Sequence, residues 1–491
     1  MHKLKVSFIA FTIVLGAGLG FSAPRASLNP NAARDVRSET LVQSADDNAL
    51  AAVRKIDRAS RSSDGKLIRL PPAEHLRRAN IYMSNRAFEE AREHWQALVG
   101  FYPQDPRVAE ALLGIGRSHF QSRQYREAYA VYERLARTYP ATKEGREALN
   151  FSGSALLRLG NPAAAVAKYI EYIERFPNGE RIDTAHLNVI DTLREAGRNE
   201  EAVDWVGRTR QRFAGTSTET NALFALLRLF VSEGSWQRAV STAEELTRRG
   251  FQRGVLTTPG EIAYLKAYSL DRAGDREGAI NAYLLVSDSP GSFYGWLASQ
   301  RLMVLTKGGK QQSLLRERVE RVNTQIAAQE DSFPAPYRQT IVRAARTRKL
   351  DPRFILALIR QESVFRPLAK SPAGARGLLQ LTMDAAQKYA SHAGLNALRE
   401  SELYRPETSI LVGSEYLAHL TQLFPNMLEA VAASYNGGED NVARWVKRAK
   451  HREPGVFTSE IGFDETKAYV QKVMTNYRAY CLLYTIDLAR K

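Results

Sequence analysis

Cysteine is almost absent from this sequence: Cys481 is the only one in 491 residues. An internal disulfide is therefore excluded, and no cysteine stands near the N-terminus to accept a lipid. Histidine is sparse as well, with eight scattered residues. There is no His-Glu-x-x-His pair, no cysteine pair, no Gly-rich phosphate loop and no calcium loop, so no metal or other cofactor is implied. Acidic side chains are in deficit, 53 against 69 Lys and Arg, which leaves a net charge of +16. A basic chain favours polyanions, namely nucleic acid, anionic lipid or acidic wall polymers, and charge alone does not choose among them. Beyond residue 23 no apolar run is long enough to span a bilayer.

The N-terminus is the exception. His2, Lys3 and Lys5 precede an uncharged, mostly apolar run from Val6 to Ala23, with small residues Gly16, Gly18, Gly20, Ser22 and Ala23 near its end. That layout reads as a secretory signal, residues 1–23, and the alternative is an uncleaved anchor. Export to the periplasm or cell envelope of a bacterium is the expectation. It argues against nucleic acid as a partner and leaves a membrane contact only for the uncleaved case. Residues 24–72 are polar and weakly patterned, and read as a linker.

From residue 73 the sequence repeats. Ala91, Ala128, Ala165, Ala202 and Ala239 recur at a constant step of 37 residues. Tyr102-Pro103, Tyr139-Pro140 and Phe176-Pro177 share the step, and Gly160, Gly197 and Gly234 keep the phase. A fixed period in this range signals a stacked repeat. Between the breakers, as in Phe88, Ala91, Trp95 and Leu98, the apolar residues fall at helical steps of three and four. Small Ala lets two helices approach, Pro ends a helix, and Gly makes the turn between paired helices. Each unit is a helix pair that buries one face on its neighbours. The pattern resembles tetratricopeptide repeats of slightly long period over roughly residues 73–250, and a degenerate unit around Gly274 to Ala279 extends the repeat domain to 73–305. Residues 306–332 read as a connecting segment, and Phe333-Pro-Ala-Pro336 opens a further domain, 333–491.

That domain carries the chemistry. Asp351-Pro352 predicts a helix start, with Asp as N-cap and Pro at the first position. Phe354, Ile355, Leu358 and Ile359 form its apolar face, and Glu362 comes seven residues after Ile355 and four after Leu358. Glu362 therefore lies on the buried face near the helix C-terminus, where burial and the macrodipole both disfavour the carboxylate. A carboxyl kept protonated near neutral pH is what a general acid requires. Ser371, Gly374, Gly377 and Gln380 come next, two hydrogen-bonding side chains among glycines. Tyr435-Asn436-Gly437-Gly438 then offers an aromatic face and an amide suited to a sugar ring and its N-acetyl group, and Glu465, Thr466, Tyr469 and Val470 lead into a last helix.

Gln361-Glu-Ser, Ser371-Pro-Ala-Gly-Ala-x-Gly-Leu-x-Gln-Leu381, Tyr435-Asn-x-Gly and Glu465-Thr-x-x-Tyr-Val470, in that order, resemble the catalytic domain of the soluble lytic murein transglycosylases. The resemblance implies an all-α protein: a helical-repeat superhelix followed by a lysozyme-like α-helical catalytic domain. It implies that Glu362 is a single catalytic acid/base acting on peptidoglycan glycan strands, cleaving between N-acetylmuramic acid and N-acetylglucosamine to leave a 1,6-anhydro end. Ser371, Gln380, Tyr435, Asn436 and Glu465 match residues that contact or position the sugar. The chain departs from the family at Leu379 and Thr382, where Met is usual, at Met383 (Pro), at Gly437 (Ala) and at Lys467 (Arg). Two rival readings remain: a goose-type lysozyme-like hydrolase, or a scaffold for wall-synthesis proteins in which the repeats bind partners and the catalytic domain is vestigial.

Overall fold

The computed structural model describes residues 49–307 and 311–491. The expected signal, and the first half of the expected linker, lie outside them. Among the described residues the fold is all-helical, with three isolated β-bridges and no sheet. No described helix is long and apolar enough to cross a membrane. The chain divides into two compact units, one of residues up to Ala196 with Lys370–Ala375, the other Gly197–Ala369 with Arg376–Lys491. The division falls inside the repeats.

The first unit opens with helix α1 (49–59), inside the stretch expected as linker. Three helix pairs come after it, α2 (Pro72–Ser84) with α3 (Phe88–Phe101), α4 (Val108–Gln121) with α5 (Tyr125–Thr138), and α6 (Lys143–Arg158) with α7 (Pro162–Arg175), and then α8 (Ile182–Glu195). The periodic alanines explain the pairing: Ala91, Ala128 and Ala165 have no exposed surface. Tyr102, Tyr139 and Phe176 are the C-caps of α3, α5 and α7, so the prolines after them stop each second helix. The turn inside each pair needs a left-handed residue. Gly160 supplies it at φ +75°, whereas Arg86 and Arg123 adopt φ +60° and +61° at the equivalent places, 74 and 37 residues earlier. An L-residue there costs roughly 1 kcal/mol.

A buried polar chain anchors α1. The Leu70 N–H donates to His75 Nε2 at 3.2 Å, so His75 carries its proton on Nδ1. That proton goes to His94 Nδ1 at 3.0 Å, and His94 in turn donates from Nε2 to Asp57 Oδ2 at 3.0 Å. The Tyr82 hydroxyl donates to the same oxygen at 2.6 Å, and Arg78 covers the other. Each ring nitrogen of the two histidines and each oxygen of Asp57 has a partner, which is what a buried network requires.

The second unit holds α9 (Asn199–Arg212), the pairs α10 (Ser217–Glu233) with α11 (Trp236–Arg248) and α12 (Pro259–Arg272) with α13 (Arg276–Leu285), and then α14 (Phe293–Leu305) and α15 (Gln312–Ala327). Ala202 and Ala239 continue the fully buried series. Helix α15 occupies the expected connecting segment but is more than a connection. Leu315, Val322 and Ile326 are buried, and the guanidinium of Arg318 donates to Ser299 Oγ at 2.9 Å and to the Leu284 carbonyl at 3.1 Å.

The C-terminal helices are α16 (Arg338–Arg348), α17 (Pro352–Ser363), α18 (Met383–Ala390), α19 (Pro406–Leu423), α20 (Leu428–Gly437), α21 (Glu439–Ala449), α22 (Pro454–Ser459) and α23 (Asp464–Leu483). Helix α17 starts as its sequence predicts: the Asp351 carboxylate accepts from the Arg353 N–H at 2.8 Å, with Pro352 at the first position. Phe354, Ile355, Leu358 and Ile359 are all buried. Its principal neighbour is α23, 20 residues long, whose Tyr477 hydroxyl reaches Asp351 Oδ2 at 2.8 Å.

Candidate active site

Glu362 stands one residue before the end of α17. The chain then reverses through two left-handed residues, Val364 at φ +49° and Phe365 at +60°. A β-branched residue rarely adopts that conformation, so the turn is held against a local cost. The Glu362 residue keeps partial exposure, yet protein packs closely around its carboxyl. Burial pushes its pKa up to about 7, and the negative charge of Glu465 adds to the rise. One hydrogen bond opposes them: the Tyr469 hydroxyl donates to Oε1 at 2.6 Å. Among the described residues no protein donor meets Oε2. The result is a carboxyl oriented on one oxygen, free on the other, and able to give or take a proton near neutrality.

A raised pKa is not by itself a catalytic sign in this protein. Glu429, in the first turn of α20, is also pushed up to about 7 by burial, with Glu453 adding to it. What sets Glu362 apart is its surroundings. Tyr435 lies within electrostatic reach of it, and its hydroxyl donates to the Leu379 carbonyl at 2.6 Å. The Tyr435 ring packs on Tyr416 at 5.2 Å between centroids, and Tyr416 stacks on Tyr389 at 5.1 Å. Tyr435 thus ties the loop 377–381 to α20 through its hydroxyl.

The other expected residues are distributed unevenly. Asn436 Oδ1 accepts from Thr466 Oγ1 at 2.6 Å, joining the end of α20 to the start of α23 and leaving its amide NH2 unspent on that bond. Glu465 is exposed in the first turn of α23 and acts on Glu362 through its charge. Gln380 sits at φ +46° and spends both amide protons on the carbonyls of Ala369 and Gly377, at 3.0 and 2.8 Å. It closes a loop, and its Oε1 takes no part in these two bonds. Ser371 lies in Lys370–Ala375, the segment grouped with the first unit, and its Oγ accepts from the Ala375 N–H at 3.1 Å as a turn residue does.

The family description "Transglycosylase SLT domain" matches residues 339–457, and "Tetratricopeptide repeat" matches 76–142, 113–180 and 152–215. The chain carries an SLT-like domain behind tetratricopeptide-like repeats. Over 155 residues it is 35% identical to a putative soluble lytic murein transglycosylase of Haemophilus influenzae and 34% identical to the soluble lytic murein transglycosylase of Escherichia coli K12. Each match spans 31% of this chain, but only 26% and 24% of the relatives' own lengths. The lytic transglycosylase Slt of Pseudomonas aeruginosa aligns over 84% of this chain and 86% of its own at 20% identity, with a TM-score of 0.44, too loose a likeness to add weight.

Tyr469, beyond the matched residues 339–457, is the partner of Glu362 that the sequence pattern does not single out. It stood inside the Glu465-to-Val470 motif, four residues after Glu465 and so on the same helical face, and that spacing was the available signal. Burial and the neighbouring Glu362 charge hold its hydroxyl protonated, its pKa well above the ordinary value, so it acts as a donor.

Proposed function

We propose that the SLT domain is a peptidoglycan lytic transglycosylase with Glu362 as its single acid/base. The observation that carries this reading is the half-buried carboxyl at about pKa 7, fixed on one oxygen by Tyr469. Protonated Glu362 gives its proton to the oxygen joining N-acetylmuramic acid to N-acetylglucosamine, and the bond from that oxygen to C1 breaks. The substrate's own acetamido oxygen stabilises C1, a substrate-assisted variant of glycoside cleavage. The carboxylate, stabilised by the Tyr469 hydroxyl, then takes the proton of the muramic 6-hydroxyl as O6 bonds to C1. A 1,6-anhydro end results, Glu362 is protonated again, and no water or cofactor enters the balance. The ring of Tyr435, the amide of Asn436 and the carbonyl oxygen of Gln380 are the groups available to the sugars; Ser371 and Glu465 are proposed contacts by resemblance. An extracytoplasmic, envelope-associated location follows from the substrate, and the repeats are a surface on which wall-associated proteins can dock.

Mass spectrometry of fragments released from purified peptidoglycan tests the reading. Anhydromuramic ends from wild type, and none from Glu362→Gln, are expected. Reducing ends would make the domain a hydrolase, and unchanged release by Glu362→Gln would refute the role of Glu362.

A further inference from the structure

Helix α23 faces two ways. Glu465 and Tyr469, four residues apart, share the face turned to Glu362. Lys467 lies two residues from each, about 200° round the helix, and Arg478 lies three turns further along that second face. The second face is clamped to α12 and to the loop between α13 and α14. Lys467 Nζ meets Glu261 Oε1 at 3.1 Å and the Leu256 carbonyl at 3.2 Å, and sits 4.9 Å from the centre of the Phe224 ring. Glu261, with no exposed surface, is aimed by the Tyr294 hydroxyl at 2.9 Å and Thr257 Oγ1 at 2.8 Å. Arg478 meets Asp288 at 2.7 and 3.1 Å, and Asp288 is held by Ser299 Oγ at 2.8 Å.

Both pairs are buried. Each charge was stripped of water on folding, so its geometry is held tightly: moving one partner leaves the other unsolvated. A rigid helix carries that constraint across its own diameter to Tyr469. We propose that Glu261 and Lys467 are positioning residues for Glu362, the repeat-region carboxylate holding α23 through Lys467 at the rotation that keeps the Tyr469 hydroxyl on Glu362 Oε1. The repeat helices would then be part of the site's machinery and not only a carrier. The proposal rests on Glu362 being the functional acid of the SLT domain.

The groups facing Glu362 are Tyr469 and Glu465 from α23 and Tyr435 from α20. Of these, the Tyr469 hydrogen bond is the one that lowers its proton affinity. Losing it moves the titration of Glu362 to higher pH. The test uses the full chain and two readouts: fragment release from purified peptidoglycan against pH, and the infrared band of the protonated carboxyl, isolated by subtracting Glu362→Gln. Glu261→Gln and Lys467→Met are expected to move both midpoints alkaline by about half a pH unit or more, as Tyr469→Phe does, while Lys467→Arg restores the wild-type midpoint. Tyr294→Phe, which keeps both charges and removes one hydroxyl aiming Glu261, is expected to shift the midpoint in the same direction and serves where a charge variant does not fold. An unmoved or acid-shifted midpoint in folded Glu261→Gln, or in Tyr294→Phe in its place, would overturn the proposal and leave the pair a structural clamp. If wild type releases no fragments yet the infrared midpoint moves, positioning stands and the transglycosylase reading falls. If fragments are released and neither midpoint moves, the reverse holds.

Discussion

Tyr469 donates a 2.6 Å hydrogen bond to Oε1 of Glu362 across 107 residues of sequence, joining α23 to the end of α17. The bond favours the carboxylate, so it opposes the burial that favours the acid. In Tyr469→Phe the bond is gone while most of the burial remains. The basic limb of fragment release against pH is expected to move alkaline by about one pH unit. Below the limb the rate should fall about tenfold, because the carboxylate formed on proton donation has lost its donor. A pH series on purified peptidoglycan measures both.

The same carboxyl makes folding depend on pH. Folded protein keeps the Glu362 proton up to about pH 7, whereas the unfolded chain releases it near the ordinary value of 4.5. Unfolding therefore sheds a proton between those values, and the stability linked to this group falls as pH rises through that window. Glu362→Gln removes the loss. It is expected to match wild type near pH 4.5 and to exceed it above pH 7 by at most about 3 kcal/mol, less because the residue keeps contact with water. Denaturant titrations at the two pH values read the difference.

The histidine chain behaves in the opposite sense. Burial depresses His75 to about pKa 4 and lowers His94 as well. The unfolded chain takes up protons near pH 6.5, so the stability due to the chain is complete above that value and lost as pH falls towards 4. Protonating His94 would set two N–H groups against each other at the 3.0 Å contact. Hydrogen exchange in α1 to α3 is expected to accelerate between about pH 6.5 and pH 4, and the acceleration should be smaller in His75→Asn.

Two left-handed glycines separate crowding from backbone cost. Gly377, at φ +76°, would drive a Cβ into the Leu403 carbonyl, while Gly394, at φ +78°, faces open space. Gly394→Ala is expected to cost about 1 kcal/mol, the conformational term alone. Gly377→Ala should cost about 2–4 kcal/mol and loosen the loop that Gln380 and Tyr435 hold. Thermal melts of the two variants make the comparison.

Much of this protein follows from local pattern. The step of 37 residues, the prolines after Tyr102, Tyr139 and Phe176, and the Asp351-Pro352 start each act within one or two turns of chain, so the sequence by itself determined the paired helices, their ends and the buried side of α17 that bears Glu362. Periodicity says which face is buried but not against what, and there the tertiary structure decided. It turned the stretch before Pro72 into helix α1 through an Asp57 bound by His94, 37 residues away. It placed Arg86 and Arg123 where later repeats have glycine. It directed the amide protons of Gln380 to neighbouring carbonyls, chose Tyr469 as the partner of Glu362, and set Lys467 against Glu261, 206 residues distant. Such long-range pairs carry no spacing rule, because desolvation and hydrogen bonding depend on distance in space and not on separation along the chain.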